Sequence, residues 1–184
     1  ENGFSVIKVN FRGVGKSDGV FDNGQGELSD AAAALDWIER QNLDYSQCWV
    51  SGFSFGSLIC MQLIMRRPEV NHFISVSPQP NVYDFSFLAP CPTSGQVIYS
   101  ENDELVTKES ITELDNRIKS QKGVEVAFSK IKNSNHFFKN KEKELALEIE
   151  KYIKEKTALI KLSINSPPEQ GFKTPVVFGK EIGS

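Results

Sequence analysis

The sequence predicts an α/β fold, a mostly parallel sheet with helices on both of its faces. Short runs rich in β-branched and aromatic residues recur at 5–11, 48–51, 73–77, 96–100 and 124–131. Longer stretches lie between them, with apolar residues spaced at the helical period, and this alternation is the pattern of a parallel sheet covered by helices. With 184 residues the chain is long enough for one domain with a real core.

Each element has its own justification. The run at 5–11 gives way to a breaker-rich stretch from Asp18 to Gly24. At 27–41 an alanine run precedes Leu35, Trp37 and Ile38, which predicts a helix with that stripe turned inward. After the run at 48–51, residues 57–67 are apolar nearly all round until Arg66 and Arg67 and stop before Pro68, as expected of a buried helix. The segment 78–95 contains Pro78, Pro80, Pro90 and Pro92 with Tyr83, Phe85 and Phe87; it either lines a pocket or packs as an apolar crossover. Asp84 within it suits a turn. Ile111, Leu114 and Ile118 mark a helix at 107–121, ended by Gly123. Leu145, Ile149, Tyr152, Ile153 and Ile160 form the stripe of a last helix, and the mixed-sign charges between Lys139 and Lys156 read as its wet face. The domain is therefore placed at 1–160. Residues 161–184, broken by Pro167, Pro168 and Pro175, are expected to be a flexible tail, in which Val176-Val177-Phe178 has the character to pair with a strand.

The chemistry centres on Gly52-Phe53-Ser54-Phe55-Gly56, a G-x-S-x-G pentapeptide between a strand run and a helix run. A serine reacts only when it is thrust clear of the backbone. A sharp strand-to-helix turn does this by holding the residue in a sparsely populated conformation between two small neighbours. The helix behind it directs free N–H groups and its positive dipole end toward the serine, which makes the Phe55 N–H the expected oxyanion donor. Such a serine needs a base, and the base needs an acid to hold its tautomer. Only two histidines are present. His72 falls at the start of a strand run, whereas ligand sites in open parallel sheets lie beyond the carboxyl ends of strands. His136 follows the run at 124–131 on that side and is the expected base. The acid should come from the loop after 96–100, where Glu101, Asp103 and Glu104 compete; Asp103 is favoured, and its two neighbours stay open.

With these residues in place, the chain resembles the α/β-hydrolase superfamily, nearest to its small bacterial, dienelactone-hydrolase-like or predicted esterase branch. The resemblance rests on the run through Phe4 with the turn Arg12-Gly13-Val14-Gly15-Lys16-Ser17, on the pentapeptide, on Asp103 and Val106, and on Asn135-His136-Phe137-Phe138. The stretch from Tyr83 to Pro90 is similar to a lining segment of that branch. It implies a serine hydrolase that cleaves an ester or related acyl bond, with Ser54 as nucleophile, Asp103 as acid and His136 as base, acting on a small acyl substrate and needing no metal or organic cofactor. Members normally carry further strands and a loop with a second oxyanion donor before the run at 5–11. This sequence begins at Glu1, so it reads as an N-terminally incomplete form lacking the first strands. The alternative is a catalytically impaired remnant that serves as a binding or interaction module.

Gly13-Val14-Gly15-Lys16-Ser17 also imitates a phosphate-binding loop, but that motif requires glycine where Asn10 stands and a helix where breakers follow. Arg12 and Lys16 then read as a turn with solvated charge. A net charge of −3, from 21 basic and 24 acidic residues, gives no reason to expect nucleic acid. No apolar run approaches the length of about 20 residues needed to cross a bilayer, so no membrane partner is expected. Cys48, Cys60 and Cys91 lack metal-type spacing and suit packing in a reducing, cytoplasmic setting.

Overall fold

The computed structural model describes residues 4–163 and 175–178. Its strands are β1 (Ile7–Val9), β2 (Cys48–Phe53), β3 (Val70–Val76), β4 (Ser94–Ser100), β5 (Val126–Ile131) and β6 (Pro175–Phe178). The helices are α1 (Gln25–Gln41), α2 (Phe55–Ile64), α3 (Lys108–Lys119) and α4 (Glu142–Ser163). One sheet joins all six strands in the order β1-β6-β2-β3-β4-β5, and every pairing is parallel. All carboxyl ends therefore open on the same edge, and loops far apart in sequence gather there.

Side chains alternate along each strand, which gives the sheet two cores. Val50, Phe73 and Val97 pack with Leu28, Leu35, Ile59, Leu63, Leu114 and Ile118 of α1, α2 and α3. On the opposite face Trp49, Ile74, Val76 and Ile98 pack with Phe138 and with Tyr152 and Ile153 of α4. Helices thus cover both faces, as expected. Of the ten residues of α2, all but Phe55 and Gln62 are buried, so this helix forms the floor behind its own N-terminus. Each large aliphatic side chain taken out of water there contributes about 1.5–3 kcal/mol.

Several expectations change. Trp37 is half exposed, because two residues beyond Leu35 the helix has turned about 200°. Lys156 is buried: its Nζ lies over the Tyr152 ring and donates to Glu125 Oε2 at 2.8 Å, so it is not part of a wet face. In the stretch expected to be a flexible tail with a segment able to pair at Val176-Val177-Phe178, Pro175–Phe178 is a strand between β1 and β2, with Val176 opposite both Ile7 and Val50. The rest of that stretch beyond α4, 164–174 and 179–184, lies outside the described residues, as does the side chain of Ile160. Arg12 is a clamp: it grips the Asp30 carboxylate with two N–H groups at 2.8 and 3.1 Å and holds the turn after β1 onto α1. That hydrogen-bonded guanidinium holds the Asp30 carboxyl below its ordinary pKa. A Cβ at Gly26 would overlap the guanidinium, which explains the glycine there.

Candidate active site

Strand β2 runs straight into the turn that carries Ser54, and α2 begins at the next residue. Ser54 has φ 54° and ψ −116°, well outside the regions open to most side chains. The strain is held by the Ser54 N–H, which donates to the Val76 carbonyl at 2.8 Å, and by the Ser54 carbonyl, which accepts from the Ser57 N–H at 3.0 Å. A Cβ at Gly52 would overlap the Gly56 carbonyl, so the turn closes only around glycine. The Phe55 N–H, first in α2, belongs to the group of amides with no acceptor in their own helix.

His136 stands in the loop after β5, at the carboxyl edge of the sheet. Its Nε2 is 2.9 Å from Ser54 Oγ, and its Nδ1 is 2.9 Å from Asp103 Oδ2 and 3.0 Å from Oδ1. The imidazole is fully buried between the rings of Phe53 and Phe137. Asp103 comes from the loop after β4, and its Oδ1 also accepts the N–H groups of Leu105 at 2.9 Å and Val106 at 3.0 Å. These donors fix the carboxylate toward the ring, and the carboxylate in turn favours the tautomer with the proton on Nδ1. The three sequence-predicted side chains are therefore hydrogen-bonded in series.

The two other carboxylates of the acid loop have separate tasks. Glu104 Oε2 accepts the backbone N–H of His136 at 3.0 Å. Glu101 accepts the Asn133 N–H at 2.9 Å and pairs with Lys130 at 3.2 Å, contacts that hold its own carboxyl below the ordinary range. Ser77 Oγ donates to the His136 carbonyl at 3.2 Å, and Ser100 Oγ donates to the Asn135 carbonyl at 2.6 Å. The histidine loop is pinned at its N–H and at its carbonyl.

Gln79 was not singled out by the sequence. Its carboxamide oxygen lies 3.2 Å from Ser54 Oγ. Its position follows from Ser77, which leaves β3 at φ 45°, and from the turn in which the N–H groups of Val82 and Tyr83 donate to the Gln79 carbonyl. Only the two prolines around it hint at a fixed loop. Within 78–95, Asn81 Nδ2 donates to the Leu105 carbonyl, Asp84 accepts the Ser86 N–H in a turn, and Phe85, Leu88 and Cys91 are buried. The segment thus starts at the site and ends as a packed crossover.

Beside the turn lies a cavity of about 320 Å³ walled by the rings of Phe11, Phe21, Phe55 and Tyr83, with Arg12 and Glu27 in its lining. Phe55 sits edge-on to Phe11 and Phe21 and lies against Tyr83 at 5.8 Å. Both charges in the lining are already engaged. Arg12 holds Asp30, and the Glu27 oxygens accept the N–H groups of Asp22 and Gly24, each at 2.8 Å.

His72 is elsewhere, in the first half of β3 opposite Trp49 and Ser94. All three cysteines are free and buried. Burial pushes the Cys48 thiol up to about 12 and raises those of Cys60 and Cys91, so none is poised as a nucleophile. No helix among the described residues is long and apolar enough to cross a membrane.

A profile of the α/β hydrolase fold matches residues 1–92, which include β1, the turn at Arg12 and the Ser54 pentapeptide. The chain belongs to the α/β-hydrolase fold family. An uncharacterized protein of Rickettsia prowazekii is 45% identical over 157 residues, covering 83% of this chain and 66% of its relative. A solved protein of unknown function from Agrobacterium tumefaciens is 46% identical with a TM-score of 0.78, over 88% of this chain and 72% of that one. An α-β serine hydrolase homologue from Coxiella burnetii is 32% identical with a TM-score of 0.63, over 74% and 62% respectively. This α/β hydrolase thus spans 66% of the length of its Rickettsia relative.

Proposed function

We propose that the protein is a serine hydrolase that cleaves a neutral carboxyl ester through an acyl-enzyme. The observation that carries this reading is the unbroken series Asp103, His136, Ser54, ending on a serine held at positive φ. Ser54 Oγ attacks the ester carbonyl as its proton passes to His136 Nε2. Asp103 stabilises the imidazolium, and the Phe55 N–H with the α2 dipole stabilises the oxyanion. His136 then protonates the leaving alcohol, and water, activated by the same ring, releases the acid. Peptide, thioester and lactone cleavage would use the same groups.

The aromatic cavity supports an apolar acyl or alcohol part for the substrate, because among the described residues its one lining cation, Arg12, already holds Asp30 and Glu27 already accepts two backbone N–H groups. Three buried free thiols suit a reducing, cytoplasmic setting. Hydrolysis of p-nitrophenyl butyrate and of p-nitrophenyl hemisuccinate tests the proposal. The butyrate should be preferred by at least about tenfold, the scale of one apolar group in a pocket. Ser54→Ala should abolish turnover of both. Unchanged hydrolysis by that variant would refute the nucleophile.

A further inference from the structure

Gln79 stands against the nucleophile in a geometry that one hydroxyl proton cannot satisfy as drawn. Ser54 Oγ is 2.9 Å from His136 Nε2 and 3.2 Å from Gln79 Oε1, and a serine hydroxyl has a single proton to give. With Asp103 holding the imidazole proton on Nδ1, Nε2 carries a lone pair and must receive the Ser54 proton. An oxygen of Gln79 facing Oγ would then set two acceptors against each other. A half-turn of the carboxamide replaces that oxygen by NH2 in nearly the same place. The orientation with oxygen inward fits only a state in which Nε2–H donates to Oγ and the hydroxyl donates to Gln79.

We propose that Gln79 is a catalytic side chain that presents an N–H to the Ser54 oxygen and, once the carbonyl is attacked, to the adjacent oxyanion. This rests on Ser54 being the nucleophile. During attack the Oγ–C bond forms, the carbonyl π pair moves onto oxygen, and the Oγ proton moves to Nε2. From then until the acyl group leaves, Oγ has no proton for Gln79 to accept, so the inward NH2 is the matched orientation throughout. The oxyanion is bonded to the same carbon as Oγ, within reach of a donor that already contacts Oγ. The donor is held for this task at little reorganisation cost. Its carbonyl accepts two N–H groups, from Val82 and Tyr83, and two residues on Asn81 ties the loop to Leu105 beside the acid. Gln79 thus adds a side-chain donor to the backbone N–H of Phe55.

Gln79→Met keeps length without polarity, and Gln79→Glu keeps shape but replaces the donor with a charged acceptor. Both should lower kcat for p-nitrophenyl butyrate by about 100-fold, the usual scale for one oxyanion donor, with KM changed less than about threefold. The inhibition constant of phenylboronic acid, which forms a tetrahedral adduct on serine, should rise by the same factor in both. Thermal melting within a few degrees of wild type shows that neither effect comes from misfolding. If Gln79 only accepts the resting hydroxyl's proton, the uncharged Gln79→Met retains wild-type kcat and boronate affinity, and the proposal is overturned. A wild-type protein that forms no fluorophosphonate adduct at Ser54 overturns the serine reading and this one with it. Normal labelling of wild type with no loss in either variant overturns this one alone.

Discussion

The two histidines show how one residue type meets a carboxylate and a hydroxyl in one place and packs against aromatic rings in another. His136 is buried at the carboxyl edge of the sheet with a carboxylate on one nitrogen and a hydroxyl on the other. His72 is half-buried in β3, tilted against Trp49 at 4.5 Å, with Tyr152 Oη 3.4 Å from its Nδ1. Burial, reinforced by the Lys156 cation, lowers its pKa to about 4. Removal from water alone discourages the protonated ring. In general a fixed anion beside a buried ring offsets that cost. Parallel strands sort the two: a residue early in a strand enters the sheet, and a residue just past its end enters the loops where Ser54 points.

The largest expected effect breaks the His136 side of this contrast. His136→Gln should lower kcat/KM by at least about 10,000-fold, while His72→Gln leaves it within about twofold, both read from ester hydrolysis. Asp103→Asn preserves shape but removes the charge that fixes the tautomer, and should cost about 10,000-fold in kcat. Glu104→Ala frees the backbone N–H of His136 and lets the ring drift. A loss of about 10- to 100-fold in kcat is expected, with Asp103 and His136 both intact. Glu104→Gln, which keeps an acceptor oxygen, should recover most of it.

The His72 side is sharpened by acid. Its folded pKa is about 4 against an ordinary value of 6.5, so between these pH values the unfolded chain binds the extra proton. Stability should therefore rise with pH across that window, and part of it should be lost as pH falls from 6.5 toward 4. Urea midpoints measured over this range should show a shallower slope in His72→Gln than in wild type. The smallest effect concerns the thiols. Cys48, Cys60 and Cys91 should stay unlabelled by a maleimide in the native protein at pH 7.5 and react fully in urea.

Much of this was legible because it depends on local pattern. The five strand runs and the strand-to-helix turn at Ser54 follow from periodicity and from glycines that a tight turn demands. Strand ends shifted where pairing outweighed propensity. β3 begins at Val70, three residues before its apolar run, because Cys48 and Ser94 offer partners to Val70 and His72. β2 continues through Gly52 and Phe53 into the turn itself. Strand β6 was readable as a sticky segment but not as a neighbour of β1 and β2, since long-range pairing leaves no local mark. The division of labour among Glu101, Asp103 and Glu104 needed coordinates, because three carboxylates within four residues differ only in where the loop aims them. Gln79 was invisible for a similar reason: its approach to Ser54 depends on the left-handed turn at Ser77.

The most direct test is the intact mass of the protein after exposure to a fluorophosphonate. Wild type and His72→Gln should each gain one adduct, mapped to Ser54, while His136→Gln and Ser54→Ala gain none on the same timescale. Labelling of His136→Gln at the wild-type rate, or an adduct on any residue other than Ser54, would contradict the account.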